Sequence, residues 1–142
     1  MNTNKFIIGG IIGGIAYFLI GWLVWGMLLM NFMNEHTTAA GKAVMRGDDQ
    51  MIWWALIAGN LLWGFVLSYV LVKSNVSSAG GGASTGAVLS LLISAAIHCM
   101  NYAFMDLSVG YTAMAVDVVA STVVGAVIGA IIGGYLGMGK KA

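Results

Sequence analysis

Two ionisable side chains lie inside long apolar stretches of the sequence. His98 belongs to ISAAIHCMNYAFMD, residues 93 to 106, and Asp117 comes near the start of the next apolar run. Ionisable residues within membrane-spanning segments are rare, and they commonly mark proton pathways or ligand sites. Imidazole exchanges protons near neutral pH and also binds ligands and metals. The pair therefore indicates a proton relay, an ion or small-ligand site, or a catalytic pocket, unless it only fastens two helices together.

Further polar side chains fall at a comparable depth in the apolar segments. We expect them to share one polar layer with the pair: Asn31, Asn60, Asn101, Tyr102 and Ser121. A step of four residues leads from His98 to Tyr102, and the same step leads from Asp117 to Ser121. Because residues four apart share a helix face, the pattern predicts that the first two residues lie opposite the second two.

Sulfur and imidazole groups suggest one further kind of site, for soft metal ions such as Cu(I). MLLMNFMNEH, residues 27 to 36, repeats methionine every three residues and ends on His36. On a helix, each step of three residues falls about 60° short of a full turn. After three such steps, Met27 and His36 lie on opposite faces. Residues 98 to 100, His-Cys-Met, point about 100° apart from one to the next, and methionine is also an ordinary packing residue. We therefore predict no metal site and no cofactor.

The segments that carry these residues are long enough to cross a membrane. The 142-residue chain is 60% hydrophobic and 8% charged, with a mean hydropathy of +0.93. Such a chain has too little polar surface to cover a water-soluble globule, and its apolar runs exceed the roughly 20 residues that span a bilayer. We predict an all-α, four-helix transmembrane bundle that forms a single domain. Its spans are expected at about residues 6–33, 52–72, 83–105 and 112–136.

Small residues recur at four-residue steps, a spacing that lets helices approach closely in lipid. The positions expected to pack helices together are Gly9, Gly13, Gly86, Gly125, Gly129 and Gly133. The stretch DLSVG between the third and fourth spans is so short that these helices should be antiparallel neighbours. Their stripes then face each other, which brings His98 towards Asp117. Because one bundle needs fewer stripes than the chain has, we also expect self-association or a membrane-protein partner.

Two of the connections have contrasting compositions. NEHTTAAGKAVMRGDDQ, residues 34 to 50, offers Thr37 or Thr38 as a helix N-cap and Gly47 as a stop, which predicts a brief surface helix. KSNVSSAGGGAS, residues 73 to 84, is rich in glycine and serine and is interpreted as a flexible linker.

Lysine and arginine are divided between the two sides of the predicted membrane. One side holds Lys5, Lys73, Lys140 and Lys141, and the other holds Lys42 and Arg46. Because cationic segments next to spans stay preferentially in the cytoplasm, we expect both termini to be cytoplasmic and the loop from about 34 to 51 to lie outside. The expected surroundings are the bilayer of a bacterial-type cytoplasmic membrane. A net charge of only +1 argues against a nucleic-acid partner.

Trp22 and Trp25 lie deep in the first span and are expected to pack between helices. With YFLIGWLVWG, GNLLWGFVLSYVL and VDVVASTVVGAVIGAIIGGYLG, the chain resembles small bacterial four-span proteins that are grouped as a domain of unknown function. Members typically end helix one with Gly-x-x-Trp-aromatic and begin a glycine-rich last helix near an acidic residue. Here Gly21 to Gly26 and Asp117 lie in the corresponding segments, with Gly21 and Trp25 four residues apart and glycine where the family has the second aromatic residue. The resemblance implies a topology and no established activity.

Two functions remain compatible with these patterns. The first is a non-enzymatic membrane protein that binds a partner or small ligand through its outer polar layer. The second is a proton-coupled transporter or channel subunit that uses His98 and Asp117, for which four spans would require an oligomer or a repeat. An enzyme is disfavoured because the sequence offers no nucleophile–base pair and no paired carboxylates at useful spacing.

Overall fold

The computed structural model describes residues 2–138, and this part of the chain is all-α, as predicted. Its α-helices are α1 (Thr3–Leu23), α2 (Met30–Glu35), α3 (Ala39–Val44), α4 (Trp53–Lys73), α5 (Ala79–Phe104) and α6 (Thr112–Gly137). Within the described residues, four helices are long and apolar enough to cross a membrane: Thr3–Leu28, Trp53–Lys73, Ala79–Phe104 and Thr112–Gly137. The chain is therefore a multi-pass membrane protein with four spans.

The first span ends earlier than the predicted boundary at residue 33. After α1 the backbone widens into a π-helical turn over Val24–Leu28, and Leu29 leaves helical geometry with φ −101° and ψ −4° before α2 begins. The Leu29 N–H still bonds to the Val24 carbonyl at 2.8 Å, so the backbone stays hydrogen-bonded through the change. A single straight helix to residue 33 would have exceeded the hydrocarbon thickness, and the π-helical turn divides it instead.

The third span begins earlier than predicted, because part of the glycine- and serine-rich stretch is helical. Ser78 is the N-cap of α5, and its side chain accepts a hydrogen bond from the Gly81 N–H at 3.1 Å. Gly82 packs directly on the backbone of Gly129 and Gly133. Close packing on α6 therefore outweighs the low helix propensity of glycine, and the expected flexible linker shrinks to the short turn 74–78.

Helices α1, α4 and α6 enclose the core, and α5 is attached to the outside of α6. Leu67 and Leu71 of α4 meet the apolar face of α6, where Ile128 and Ile132 are fully buried. Helix α1 contacts both α4 and α6, whereas α5 packs almost entirely on α6. The opposite surface of α5 faces outward, with Leu92 63% exposed. In a bilayer, outward-facing apolar side chains contact lipid.

Glycines form the contact between α5 and α6. A methyl group built on Gly86 would overlap the carbonyl oxygen of Gly125, and one built on Gly129 would overlap that of Gly82. These helices therefore approach to backbone contact as antiparallel neighbours, which is the arrangement that the short connection and the four-residue steps predicted.

A second glycine contact joins α1 to α4. Four glycines of α1 are buried: Gly9, Gly10, Gly13 and Gly14. Gly64 of α4 packs on the backbone of Gly10 and Gly14, and the Ser68 hydroxyl donates to the Phe6 carbonyl at 2.9 Å. The glycine stripes that suggested self-association thus lie inside one bundle, where they bring its own helices together.

The two ends of the bundle differ in structure. We call the end that holds residues 29–52 and 105–111 the loop end, and the end where α1 begins and α6 finishes the terminal end. At the terminal end, the Lys5 ammonium donates to the Leu136 carbonyl at 2.9 Å. A cation at the last carbonyls of a helix satisfies their unpaired hydrogen-bonding capacity and complements the helix dipole.

At the loop end, the two connections are joined through Thr38. Thr38 is the N-cap of α3, its N–H bonds to the Leu107 carbonyl at 3.1 Å, and its hydroxyl donates to the Asp106 carbonyl at 2.5 Å. Of the two predicted caps, Thr38 is therefore the one used. Helix α3 ends at Val44, because the backbone of Met45 is extended, and it does not reach the predicted stop at Gly47.

Candidate functional site

His98 and Asp117 are hydrogen-bonded to each other near the loop end. Their Nε2 and Oδ2 atoms lie 2.7 Å apart, and the two side chains are 25% and 23% exposed. His98 extends the face of α5 that packs on α6, so the glycine contact below brings the imidazole to Asp117. The contact that the sequence predicted is formed, and both groups remain accessible from one side.

Trp25 is a third member of the site and comes from the π-helical turn. Its indole Nε1–H donates to Asp117 Oδ1 at 2.5 Å, so each carboxylate oxygen has its own partner. From the sequence, Trp25 was assigned only to packing. A buried indole N–H usually needs an acceptor, and Asp117 is the acidic residue at that depth, which is the signal that could have indicated the contact.

The two contacts of Asp117 determine how the imidazole is protonated when it is neutral. An ionised carboxylate can only accept hydrogen bonds, so Nε2 of His98 carries the proton that faces it. The lone pair of a neutral imidazole is then on Nδ1. Within residues 2–138, no hydrogen bond involves this Nδ1 atom. When His98 is neutral, the site therefore holds its imidazole in a defined tautomer with a free electron pair.

A pocket of about 280 Å³ opens beside the pair. Its polar lining comes from His98, Asn101, Tyr102 and Asp117, together with Thr37 and Ser108 of the joined connections. The remaining lining residues are Met33, Met45, Met105, Leu107, Ala113 and Met114. The volume is sufficient for a small ligand or several water molecules. The pocket therefore combines an ionisable pair, an amide and a phenol with a wall that is rich in thioethers.

The structure places two predicted polar residues in the pocket and others away from it. Asn101 and Tyr102 line the pocket, and the Tyr102 hydroxyl donates to that of Tyr111 at 3.1 Å. Ser121 does not line it and lies one turn closer to the terminal end than Asp117. In an antiparallel pair, a step towards the loop end on α5 corresponds to lower residue numbers on α6. The steps from His98 to Tyr102 and from Asp117 to Ser121 therefore run in opposite directions along the interface, and of these four residues His98 and Asp117 are hydrogen-bonded to each other.

The predicted polar layer does not extend across all four spans. The Asn60 amide donates to the Leu56 carbonyl of its own helix at 2.8 Å, and no residue of α4 lines the pocket. Asn31 is exposed. The contribution of the first span comes from Trp25 instead, because the π-helical turn directs this side chain towards α6.

The sequence predicts that the side chains of the methionine run, residues 27 to 36, point in different directions, and in the structure they do not meet at one point. Met27 is 55% exposed, and His36 Nδ1 lies 2.8 Å from the Phe32 carbonyl. Cys99 is exposed and is not part of the pocket lining. Of this run, only Met33 reaches the pocket.

Towards the terminal end, the α5–α6 interface closes below the pair. The Ser94 hydroxyl donates to the Ser90 carbonyl of its own helix at 2.7 Å, and the Ser90 side chain packs against Gly125. The backbone contact between Gly86 and Gly125 follows directly. Beyond Ser90 the interface consists of close contacts between glycine backbones, and the ionisable pair lies on the loop-end side of these contacts.

Protein-family models, curated proteins and solved structures were all compared with this chain, and none of them matches it.

Proposed function

We propose that this protein binds a small ligand in the pocket at its loop end, with His98 and Asp117 as the principal recognition groups. The observation that carries the proposal is the pocket of about 280 Å³ that has a hydrogen-bonded imidazole–carboxylate pair in its wall. A largely apolar cavity with a few converging polar groups is the usual form of a small-ligand site.

The chemistry of the lining favours binding over catalysis. The imidazole and the carboxylate are already bonded to each other, and the carboxylate also accepts from Trp25, so the pair can orient and charge-balance a ligand. The lining offers no serine or cysteine nucleophile bonded to the imidazole, which covalent hydrolysis would need. The proposal is therefore a binding protein of the membrane, without an enzymatic step.

A proton-coupled transporter or channel subunit is the alternative use of the same pair. Conduction needs a polar route across the membrane, and the glycine contacts of α5 and α6 leave none beyond Ser90 in this interface. Transport would thus require a second, alternately open conformation or a partner subunit. For this reason we place ligand binding first.

We further propose that the loop end faces the outside of a bacterial-type cytoplasmic membrane. Lys5 and Lys73 lie at the terminal end, whereas Lys42 and Arg46 lie at the loop end; Lys140 and Lys141 fall outside the described residues. The proposal does not include self-association through glycine faces, because those glycines are occupied within the bundle.

Water access to the pocket tests the proposal without knowledge of the ligand. In a Cys99→Ser background, Met114→Cys places a thiol in the pocket wall, and Ala115→Cys places one at the same depth on an outward-facing position. Thiol reagents of the charged, membrane-impermeant kind react only with hydrated thiols. We expect the thiol at position 114 to react at least tenfold faster than the one at position 115 when the reagent is added outside intact cells.

A thiol at position 114 that reacts no faster than a thiol in lipid would show that the pocket is closed, and the ligand-binding proposal would then fail. Faster reaction at position 114 only in inverted vesicles would keep the pocket and reverse the orientation. The reaction of a third variant, Val127→Cys on the outward-facing side of α6 nearer mid-span, gives the background rate for a thiol in lipid.

A further inference from the structure

We propose that the ligand of this pocket is a soft monovalent metal ion, Cu(I), bound by Nδ1 of His98 and by thioether sulfurs of the pocket methionines. The inference rests on the proposed function, since it names the ligand of the same pocket. It also revises the prediction of no metal site, which considered methionines that are close in sequence.

Methionines from four separate segments reach one pocket. Met33 comes from α2, Met45 follows α3, Met105 follows α5, and Met114 belongs to α6. They are four of the ten methionines in the chain. Thioethers are soft, uncharged ligands, and among biological metal ions they select Cu(I).

Solvent exposure divides these thioethers into two groups. Met33 and Met114 are half-buried, whereas Met45 and Met105 are 62% and 55% exposed. Both pairs line the same pocket as His98. The two half-buried sulfurs and one imidazole nitrogen make a donor set that suits Cu(I), and the more exposed pair can accept the ion on entry.

The contacts of His98 match those of a metal-binding histidine. Such residues usually donate the N–H of one ring nitrogen to a carboxylate, which fixes the tautomer and leaves the other nitrogen to the metal. Here Nε2 faces Asp117 at 2.7 Å, and Asp117 is itself held by the Trp25 indole. Nδ1 of neutral His98 therefore carries the available lone pair. The ring is oriented by its bond to Asp117, and Asp117 is in turn oriented by its bond to Trp25.

The charge balance also favours a monovalent ion. His98 in its neutral form and the thioethers contribute no charge, so Asp117 beside them supplies the single negative charge of the site. A bound Cu(I) ion then leaves the pocket neutral overall, which lowers the cost of burial in a low-dielectric region. Within residues 2–138, no three side chains of His, Cys, Asp or Glu come together in the way that zinc sites require.

The test is an anaerobic Cu(I) titration of the full-length protein in detergent or lipid nanodiscs, in competition with a chromophoric Cu(I) chelator. Cys99→Ser is the background, because an exposed thiol would bind Cu(I) by itself. We expect one Cu(I) per chain, and X-ray absorption should show nitrogen and sulfur neighbours. The double variant Met33→Leu/Met114→Leu should weaken binding at least tenfold.

Matched controls separate the pocket from the remaining sulfur of the chain. Met27→Leu/Met100→Leu changes two methionines that are 55% and 62% exposed and lie outside the pocket lining, and it should leave the affinity unchanged. Asp117→Asn should also weaken binding at least tenfold although His98 is still present. If the two leucine pairs weaken binding equally, or if no stoichiometric binding occurs, the Cu(I) assignment is wrong.

The two proposals fail separately. A pocket thiol at position 114 that reacts rapidly, in a protein that binds no Cu(I), would leave the ligand site in place and remove only the identity of its ligand. A closed pocket would remove both. Because methionine-to-leucine changes preserve volume, the double variants are expected to fold, and the result does not depend on His98 substitutions that could unfold the protein.

Discussion

Trp25 and Asp117 are joined by a hydrogen bond of 2.5 Å between the indole Nε1–H and the carboxylate Oδ1, across 92 residues of sequence. This bond connects the π-helical turn of the first span to the last span, at the level where His98 approaches from α5. Turns of π-helix inside α-helices are frequent at functional sites, where they redirect a side chain. Here the redirected side chain supplies the second hydrogen-bond partner of the half-buried Asp117 carboxylate.

Removing the indole donor should destabilise the bundle even when an aromatic ring remains at position 25. For Trp25→Phe we expect a loss of about 1.5 kcal/mol in the free energy of unfolding, at the lower end of the range for hydrogen bonds to charged groups. The loss is moderate because Asp117 is 23% exposed and water can replace the indole. Unfolding of the purified protein in mixed micelles measures the difference.

The control for this change is Trp22→Phe, since Trp22 is 61% exposed. Its loss should stay within about 0.5 kcal/mol, as is usual for surface substitutions. Equal losses for the two variants would mean that the contact with Asp117 contributes nothing to stability.

The tautomer of His98 should depend on the side chain at position 117. With Asp117 the neutral imidazole carries its proton on Nε2, because the carboxylate only accepts. In Asp117→Asn, the amide oxygen is retained by the Trp25 indole and the amide NH₂ faces His98, which moves the imidazole proton to Nδ1. Nitrogen-15 NMR of labelled histidine in alkaline buffer distinguishes these two forms.

His36 is the second histidine of the chain, and His36→Gln removes its signal from the spectra. Finding the same neutral tautomer in the parent protein and in the Asp117→Asn variant would contradict the hydrogen-bond arrangement described for this site.

A methyl group in the α5–α6 contact should separate the two helices. Gly86→Ala places Cβ against the Gly125 carbonyl, and we expect a loss of about 1–3 kcal/mol, as for overpacked interiors. The same variant also reports on the site, because separating α5 from α6 should weaken or abolish the hydrogen bond between His98 and Asp117. Unfolding in mixed micelles gives the stability, and the histidine NMR signal gives the contact.

Gly59→Ala is the matched control within α4, since a methyl group built there meets nothing within 4 Å. It should be neutral or stabilising by up to about 1 kcal/mol, because alanine has the higher helix propensity. If the two alanine variants are equally stable, close backbone contact is not what holds α5 to α6.

Loss of the Thr38 hydroxyl should loosen the loop end without unfolding the spans. The hydroxyl accepts from the Gly41 N–H at 2.9 Å and donates to the Asp106 carbonyl at 2.5 Å. For Thr38→Val we expect a local cost of about 1–2 kcal/mol, which corresponds to roughly tenfold faster amide exchange near residue 41 and residues 105–109. Hydrogen–deuterium exchange with mass spectrometry measures this segment by segment.

Thr37→Val is the neighbouring control, because the Thr37 hydroxyl donates at 2.7 Å to the Met33 carbonyl, just before it in the chain. Its effect should stay close to residue 33 and should not reach residues 105–109. Faster exchange across both connections in the Thr37 variant would show that Thr38 has no special part in joining them.

The fold was largely predictable because its signals are local in sequence. The length of the apolar runs identifies four spans, and the short DLSVG stretch makes α5 and α6 antiparallel neighbours. The four-residue steps of glycine then predict which faces meet, and this is sufficient to bring His98 to Asp117. Each inference needs only the spacing within a helix or between two consecutive helices.

The errors of prediction occur where a local preference competes with packing. Glycines 80 to 82 have low helix propensity, yet Gly82 is helical because α6 lies against it. The predicted first span is too long because no proline in the sequence marks the change to π-helical geometry at Val24–Leu28. Asn60 was placed in the shared polar layer by depth, although its amide bonds within α4.

The four spans, their order and the one pair of neighbours joined by a short turn can be read from local sequence alone. The bond from Trp25 to Asp117, and the methionines from four segments that line the pocket beside His98, become apparent only in the folded bundle. A helix in lipid is apolar on nearly every face, so its sequence shows little about how it is rotated towards the others. Rotation and the π-helical turn depend on contacts between distant helices, and these contacts form the pocket.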